Sequence, residues 1–468
     1  MSEVEPPDGR GRWARLCTAG LGGLIGGVVG GLVVVAVISL IKATMDTISG
    51  EATWVVVVVP LLGLALAVVV LHQLGLGEAT PASGGARPAH PWRTFPPEAI
   101  RADITGDVVE TAGEEERFPW RLLPIRTLAI FATVGLGGAM GTEAPAAYLG
   151  DGTGACLGDR GRRWRRLLRP AALGGGAAGV AALMGLALVG TAYMLEIGRR
   201  HRAPLSGERV IAALIGGAVG WAINVAFELN LIRLIVPKIP PVDVLQAVKT
   251  ALFIGVISGV ITALAGSAID RAKGWRASPR VRLALGGLAT AIAALALVAI
   301  AAPAAAVGPG GGAILWAENT NPLPLALLAV ALLRAAATTA AAAAGGCGGV
   351  FVPFLAVGDI AGRVFAPGLG IGNDLAGAAG AAGGIAGGYR LPLTAVAMVV
   401  GLGGPRAATL TCLATVAVAF VAGTATWALV DRLLEHAHGR EQRRHEEHDQ
   451  RGDHDQAVGK QAVHRQPP

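Results

Sequence analysis

The sequence predicts an all-α, polytopic membrane protein with broken and re-entrant helices, built from two halves that form an inverted repeat. Three observations support this fold class. Hydrophobic residues make up 53% of the 468 residues, whereas charged residues make up only 15%. Several apolar runs, Leu21–Ile41 and Thr53–Leu71 among them, reach the roughly 20 residues that cross a bilayer. Finally, two segments 208 residues apart carry the same pattern of glycine and proline.

The repeated segments are residues 141–154 and 349–362. In each, a Gly is followed by Pro four residues later, by Gly-Asp nine residues later and by another Gly thirteen residues later. Glycine frees the backbone and proline suits the first helical turn, so each segment predicts a helix N-terminus at a break in a membrane segment. A second pair of segments, 186–196 and 391–401, matches at an offset of 205 residues. An odd number of membrane segments in each half would invert the second copy relative to the first.

The elements are expected in the following order. A cytoplasmic N-terminal tail covers residues 1–13, and a transmembrane domain covers residues 14–434, with repeat halves at about 14–236 and 242–434. A disordered, charged cytoplasmic tail covers residues 435–468. A polar loop rich in Pro, Gly and acidic residues covers 72–117. The apolar blocks lie at about 14–45, 52–73, 124–158, 170–197, 206–236, 242–268, 279–303, 322–346, 351–366, 373–403 and 405–434.

The basic residues predict the topology. The net charge of +7 comes from Arg residues in short loops between apolar runs, which favours a topogenic role over binding of nucleic acid. Two basic loops, which the positive-inside rule assigns to the cytoplasmic side, enclose Pro170–Gly198, which is only 29 residues long. Two full crossings need about 40 residues, so these segments must be short or re-entrant. The chain is therefore expected to be a multi-pass protein of the cell membrane.

Glu143 is an acidic residue at a predicted helix start, deep inside an apolar block. A buried carboxylate costs several kcal/mol unless backbone amides and the helix dipole compensate, which indicates a functional site. If the halves pack face to face, the amides of Thr142, Glu143, Val350 and Phe351 converge into a cradle for an anion. A carboxylate in that cradle competes with the anion, so Glu143 is expected to gate the pathway and to carry a proton when it leaves.

These motifs resemble those of the CLC family of chloride channels and chloride/proton antiporters. Residues 141–145 (Gly-Thr-Glu-Ala-Pro) are similar to its G-[KR]-E-G-P signature. Residues 345–353 (Gly-Gly-Cys-Gly-Gly-Val-Phe-Val-Pro) are similar to its G-x-x-G-G-[IV]-F-x-P signature, and residues 392–394 (Pro-Leu-Thr) resemble a third landmark. The resemblance implies a CLC-type fold, a chloride pore gated by Glu143, a central anion held by the backbone of Val350 and Phe351, and a homodimer with one pore per subunit.

The chain also departs from the family pattern. The family's inner serine loop is replaced, and Thr94 is the nearest hydroxyl; the inner pore tyrosine has no counterpart, and Trp427 is the nearest aromatic residue. The inner proton-transfer glutamate of the antiporters aligns with Ile197, next to Glu196, which is the nearest candidate for the proton pathway. Thr142 replaces a basic residue of the first signature. Channel and proton-coupled exchanger therefore remain alternatives.

Two other functions are compatible with these residues. The altered inner ligands leave transport of another anion, such as fluoride or nitrate, as one alternative, and a non-conducting structural or regulatory protein as another. The buried Glu143 argues against the latter. No enzymatic activity, cofactor or metal site is predicted, because the apolar blocks hold no Ser/His, paired-Asp or metal-ligand constellation. The His-rich tail is interpreted as disordered rather than metal-binding.

Overall fold

A computed structural model describes residues 9–75, 120–159, 165–200, 205–229, 243–275, 277–389, 391–398, 409–434 and 436. The regular structure of these residues is helical, which confirms the all-α prediction. The helices are α1 (Gly9–Ser49), α2 (Thr53–Gly75), α3 (Leu123–Ile130), α4 (Glu143–Asp159), α5 (Leu168–Met184), α6 (Ala187–Arg200), α7 (Gly207–Ala226), α8 (Val244–Gly274), α9 (Pro279–Ile300), α10 (Pro303–Ala306), α11 (Gly311–Thr320), α12 (Pro324–Ala344), α13 (Phe351–Arg363), α14 (Ala366–Leu369), α15 (Asn373–Gly388), α16 (392–398) and α17 (Leu410–Leu434).

Seven of the described helices are long and apolar enough to cross a bilayer: α1, α2, α7, α8, α9, α12 and α17. Their outward faces carry large apolar side chains, of which Leu325, Leu410 and Trp13 are the most exposed. Such faces are unfavourable in water and suit contact with lipid tails. These helices confirm the multi-pass membrane architecture.

One predicted boundary differs from the structure. Helix α1 begins at Gly9, so residues 9–13, which were predicted to lie in the N-terminal tail, form its first turn. Residues 11–13 are exposed, so the helix extends beyond the apolar run.

The break that the repeat predicts within the block at 124–158 is present. Helix α3 passes through a π-helical turn at Phe131–Gly135, and α4 starts at Glu143.

The stretch between the two basic loops contains two short helices, as its length predicted. Helix α5 has 17 residues and α6 has 14 residues. The chain reverses between them at Gly185, whose φ of 71° lies in the left-handed region that favours glycine. Asn224 of α7 donates a side-chain hydrogen bond of 2.7 Å to the carbonyl of Ala182 and so satisfies one of the last carbonyls of α5.

Small residues bring the helix backbones into close contact. Helix α5 packs against α1, α4 and α7, and α13 packs against α15. At the α4–α5 crossing, a Cβ atom added to Gly150 would overlap the carbonyl of Gly175. At the α13–α15 crossing, a Cβ on Gly380 would overlap the carbonyl of Gly358 in the same way. Packing of this kind replaces the hydrophobic effect as the source of helix association in lipid.

Two buried arginines hold the helices around α13. Arg334 of α12 donates to the carbonyls of Ala305 and Ala306 at 3.3 Å each and to that of Gly308 at 2.5 Å, which fixes the turn after α10. The second arginine is Arg363, at the end of α13, which forms ion pairs with carboxylates of three helices. The nitrogen–oxygen distances are 2.6 Å to Asp359, 3.0 Å to Glu318 and 3.5 Å to Asp374.

The close α4–α5 crossing predicts a strong effect of one added methyl group. We expect Gly150→Ala to destabilise the protein by about 1–3 kcal/mol, because its Cβ displaces the backbone of α5. Gly287→Ala is the matched control, because its Cβ would lie 3.6 Å from Leu61, an ordinary contact distance. Thermal unfolding of both variants in detergent tests this. Equal melting temperatures for the two variants would contradict the packing described here.

Candidate anion site

The two repeated glycine-proline segments meet in the structure. Gly141 donates a backbone hydrogen bond of 2.7 Å to the carbonyl of Gly349, and Gly349 donates one of 2.9 Å to the carbonyl of Gly141. This antiparallel pair is the isolated β-bridge of the described residues. Helices α4 and α13 begin two residues after it, at Glu143 and Phe351. The bridge therefore joins two helix N-termini from opposite halves of the sequence.

Proline shapes both helix starts in the same way. The first helical hydrogen bonds run from Ala146 to Thr142 at 2.8 Å and from Phe354 to Val350 at 3.0 Å. Pro145 and Pro353 occupy the third helical position, where a backbone N–H has no partner within the helix. Proline removes that donor. In α13 the amides of the first two residues are left free to bind a ligand.

A carboxylate occupies these free amides. Oε1 of Glu143 accepts hydrogen bonds from the amide of Phe351 at 2.7 Å and from that of Val352 at 3.1 Å. The side chain is completely buried, and the amides of Thr142 and Glu143 itself also lie beside the carboxylate. The partial positive charge at the start of a helix favours a negative group at this point. The geometry is that of an anion site filled by a side chain of the same protein.

Glycine leaves room for the bound carboxylate on both sides. A Cβ atom added to Gly141 would overlap both carboxylate oxygens of Glu143, and one added to Gly349 would overlap Oε1. The β-bridge thus lies directly against the charged group. This close approach of the backbone explains why both copies of the repeat begin with glycine.

Two tyrosines lie on the other side of Phe351. Its ring makes edge-to-face contacts with Tyr193 of α6, at a centroid distance of 6.1 Å, and with Tyr389, which follows α15, at 5.5 Å. The two tyrosine hydroxyl oxygens are 3.5 Å apart. Both rings are buried, with 1% and 6% of their surface exposed. The hydroxyl pair therefore lies in the interior, next to the residue whose amide holds Glu143.

A second carboxylate binds a second helix start. Glu196 of α6 accepts hydrogen bonds from the amide of Leu393 at 2.6 Å, from the amide of Thr394 at 2.8 Å and from the Thr394 hydroxyl at 2.6 Å. These donors open α16. Glu196 is half-buried, whereas the neighbouring Ile197 is buried. Like Glu143, this carboxylate comes from the first half of the chain and binds amides of the second.

The residues predicted for the site are placed as follows. Thr142 and Glu143 are buried at the start of α4, and Val350 caps α13. The amide that joins Phe351 in binding Glu143 belongs to Val352 rather than to Val350, because Val350 precedes the first free N–H of the helix.

Thr94 and Trp427 are the residues predicted to replace the family's inner serine and tyrosine. Thr94 lies outside the described residues. Trp427 is half-buried in α17, whereas the aromatic contacts to Phe351 come from Tyr193 and Tyr389. Sequence analysis did not select this pair. The chain has only three tyrosines, and two of them lie within or beside the matched segments 186–196 and 391–401, which is the signal that would have indicated them.

Comparison with known proteins gives a family match. Residues 89–424 match the family described as Voltage gated chloride channel. Relatives from Yersinia pestis (strain Angola) and Yersinia pseudotuberculosis (serotype O:3, strain YPIII), both named H(+)/Cl(-) exchange transporter ClcA, are 27% identical over 325 residues. The alignments cover 65% of this chain and 66% of each relative, so the chain spans just under two thirds of their length.

Solved structures share the fold. A slow cyanobacterial Cl⁻/H⁺ antiporter superposes with a TM-score of 0.63 at 20% identity, covering 90% of this chain and 98% of the antiporter chain. A CLC-type fluoride/proton antiporter superposes with a TM-score of 0.64 at 19% identity, covering 88% of this chain and 96% of the antiporter chain. At this level of identity the likeness shows a common architecture.

Removing the Glu143 carboxylate is expected to strengthen halide binding. In Glu143→Ala the amides of Phe351 and Val352 lose their internal ligand and become available to an external anion. We expect the affinity for chloride to rise by about tenfold, since about 1.4 kcal/mol of competition is relieved. Calorimetric titration of the purified protein measures this.

The control for this titration is Glu208→Ala. Glu208 is a partly exposed carboxylate at the start of α7 that pairs with Arg15 at 3.5 Å. Its loss leaves the amides of α13 unchanged, so the chloride affinity should match that of the unmodified chain. An affinity that is the same for Glu143→Ala and Glu208→Ala would show that Glu143 and the anion do not compete.

Proposed function

This chain belongs to the voltage-gated chloride channel family, also called the CLC family, and on that basis we propose that it exchanges chloride for protons across a cell membrane with Glu143 as the gate. The observation that carries the proposal is the buried Glu143 carboxylate, held by the amides of Phe351 and Val352 from the other half of the chain. An anion and this carboxylate cannot occupy the same amides together.

Exchange follows from that competition. When Glu143 binds the amides, it blocks the place that chloride needs. When it leaves, it loses its hydrogen bonds and the favourable helix dipole, and an apolar interior then disfavours the charged form. The carboxylate therefore takes up a proton as chloride enters, and it releases the proton when it returns. One side chain links the two fluxes.

Two further considerations support exchange over a channel, and one favours a channel. The curated relatives from Yersinia are named as H(+)/Cl(-) exchange transporters. Ile197 replaces a carboxylate that the family's antiporters use for proton transfer, which favours a channel. Glu196 lies immediately beside it, however, and is half-buried. It supplies a carboxylate on the same helix for the inner part of a proton pathway.

Fluoride is the second candidate substrate. A solved structure that shares the fold, a CLC-type fluoride/proton antiporter, motivates this candidate. All the residues that bind Glu143 belong to one chain, so each subunit of the proposed homodimer has its own pathway. Neither the dimer nor the anion preference affects the competition at Glu143.

The proposal predicts coupled fluxes in liposomes that contain the full chain. An outward chloride gradient should drive protons inward against their own gradient, recorded by chloride efflux and internal pH in the same vesicles. Chloride flux that moves no protons would identify a channel. Fluoride flux in the absence of chloride flux would identify the second candidate, and no flux of either ion would leave a non-conducting protein.

Glu143→Gln should separate the two fluxes. Glutamine fills the same volume but cannot take up or release a proton, so chloride should still pass while proton movement falls to background. The chloride flux of the unmodified chain should rise as the pH falls, because protonation releases the carboxylate from the amides, and this dependence should be absent in Glu143→Gln. A Glu143→Gln protein that still moves protons would contradict a gate at this residue.

A further inference from the structure

The proposed exchange uses Glu196 as the inner carboxylate of the proton pathway and leaves two polar groups near the gate without a role, the hydroxyls of Tyr193 and Tyr389. Both tyrosine rings contact Phe351, one from helix α6 and one from the residue after α15. Glu196 lies on α6 and binds the start of α16. Polar side chains inside a membrane protein are costly and frequently mark an ion or proton pathway.

The tyrosine pair lies next to the gate. Phe351 connects the two groups, because its amide binds Glu143 Oε1 at 2.7 Å and its ring contacts both tyrosine rings. Tyr193 also lies within electrostatic reach of Glu143. The hydroxyl oxygens are 3.5 Å apart, which is longer than the usual 2.5–3.0 Å of an O–H···O hydrogen bond. The pair is therefore close enough to exchange a proton after a small approach, or through one water molecule.

Each tyrosine is close in sequence to Glu196 or to one of its hydrogen-bond donors. Tyr193 and Glu196 are three residues apart on α6, and residues with this spacing lie on the same face of a helix. On the other chain segment, Tyr389 precedes by four residues the Leu393 amide that binds Glu196 at 2.6 Å. Glu196 is therefore the carboxylate to which the series from Phe351 can be extended.

Burial changes steadily along this series. Glu143 is completely buried, the two tyrosines are 1% and 6% exposed, and Glu196 is half-buried. Arg199, which follows Glu196 by less than one turn, is exposed. The series thus leads from the closed interior of the site to the end of α6, where the sequence predicts the cytoplasmic side.

We propose that Tyr193 and Tyr389 form a hydroxyl relay that carries protons between Glu143 and Glu196, in place of a carboxylate at Ile197. The inference rests on the proposed exchange. A protonated Glu143 gives its proton to the Tyr193 oxygen while the Tyr193 proton passes to Tyr389, and the Tyr389 proton passes to the Glu196 carboxylate, directly or through water. Each phenol gains one proton and loses one, so both are neutral before and after the step.

Tyrosine suits this role in an apolar interior. A hydroxyl both donates and accepts a hydrogen bond, so it passes a proton on without holding a charge. Rotation about the C–O bond then resets its direction. A carboxylate at position 197 would need to be charged for half of the cycle inside the protein, and the phenol pair avoids that desolvation cost.

The test compares proton and chloride fluxes of Tyr→Phe variants in liposomes. Tyr193→Phe and Tyr389→Phe each remove one hydroxyl and keep the ring that packs against Phe351, so the fold and the anion site are expected to persist. Chloride flux should continue in both, whereas proton flux should fall by at least about tenfold. The chloride-to-proton ratio, obtained from the potential at which net flux stops, should rise in each variant.

The third tyrosine of the chain is the matched control. Tyr148 of α4 is also buried and stacks with Arg126 at 5.3 Å, outside the relay. Tyr148→Phe should keep the ratio of the unmodified chain, whereas Glu196→Gln should raise it as the two relay variants do. A purely structural role for Tyr193 and Tyr389 would lower both fluxes together and leave the ratio unchanged.

The outcomes separate the relay from the exchange itself. If the unmodified chain couples chloride to protons and both Tyr→Phe variants retain its ratio, the relay is wrong and the proposed exchange stands. If the unmodified chain moves chloride without protons, both proposals fail. Each single variant interrupts the relay alone, so the result does not depend on a double variant that folds poorly.

Discussion

The structure depends on one interaction: a carboxylate held in an apolar interior by the amides at a helix start. Glu143 is completely buried, and its Oε1 is bound by the amides of Phe351 and Val352. Without these donors the charge could not remain there. The donors in turn depend on the hydrogen-bonded pair of Gly141 and Gly349, which places the first turn of α13 against the first turn of α4. The burial of Glu143 and the pairing of the two helix starts therefore depend on the same few atoms.

The surrounding packing keeps α13 in place. At its far end Arg363 is tied to carboxylates of α11, α13 and α15, and along its length Gly358 lies against Gly380 of α15. On the opposite side, α4 is held by its close crossing with α5 at Gly150. Small residues permit these crossings, and the crossings leave little freedom for the two helix starts to separate. A site formed in this way can exchange its ligand while the backbone remains fixed, and in the proposed exchange the moving part is the side chain of Glu143.

Much of this arrangement follows from the sequence because glycine and proline act locally. The repeated Gly and Pro positions predicted both helix starts, and the short interval between basic loops predicted the short helices α5 and α6. The sequence does not predict which amides of α13 bind Glu143. Whether the second donor is Val350 or Val352 depends on where the first helical turn closes. The meeting of Tyr193 with Tyr389 depends on contacts between residues 196 positions apart. A single sequence carries no direct signal for such a contact, although the rarity of tyrosine in this chain gives a hint.

The most direct test of the account is the identity of the ligand on the Phe351 and Val352 amides. Crystals of the full chain grown with bromide, at neutral and at acidic pH, distinguish the ligands by the anomalous scattering of bromide. Competition between anion and carboxylate predicts a bromide peak within hydrogen-bond distance of both amides at acidic pH, with the Glu143 side chain displaced, and the carboxylate in that place at neutral pH. A Glu143 carboxylate that keeps both hydrogen bonds at either pH, with bromide bound elsewhere, would contradict the account.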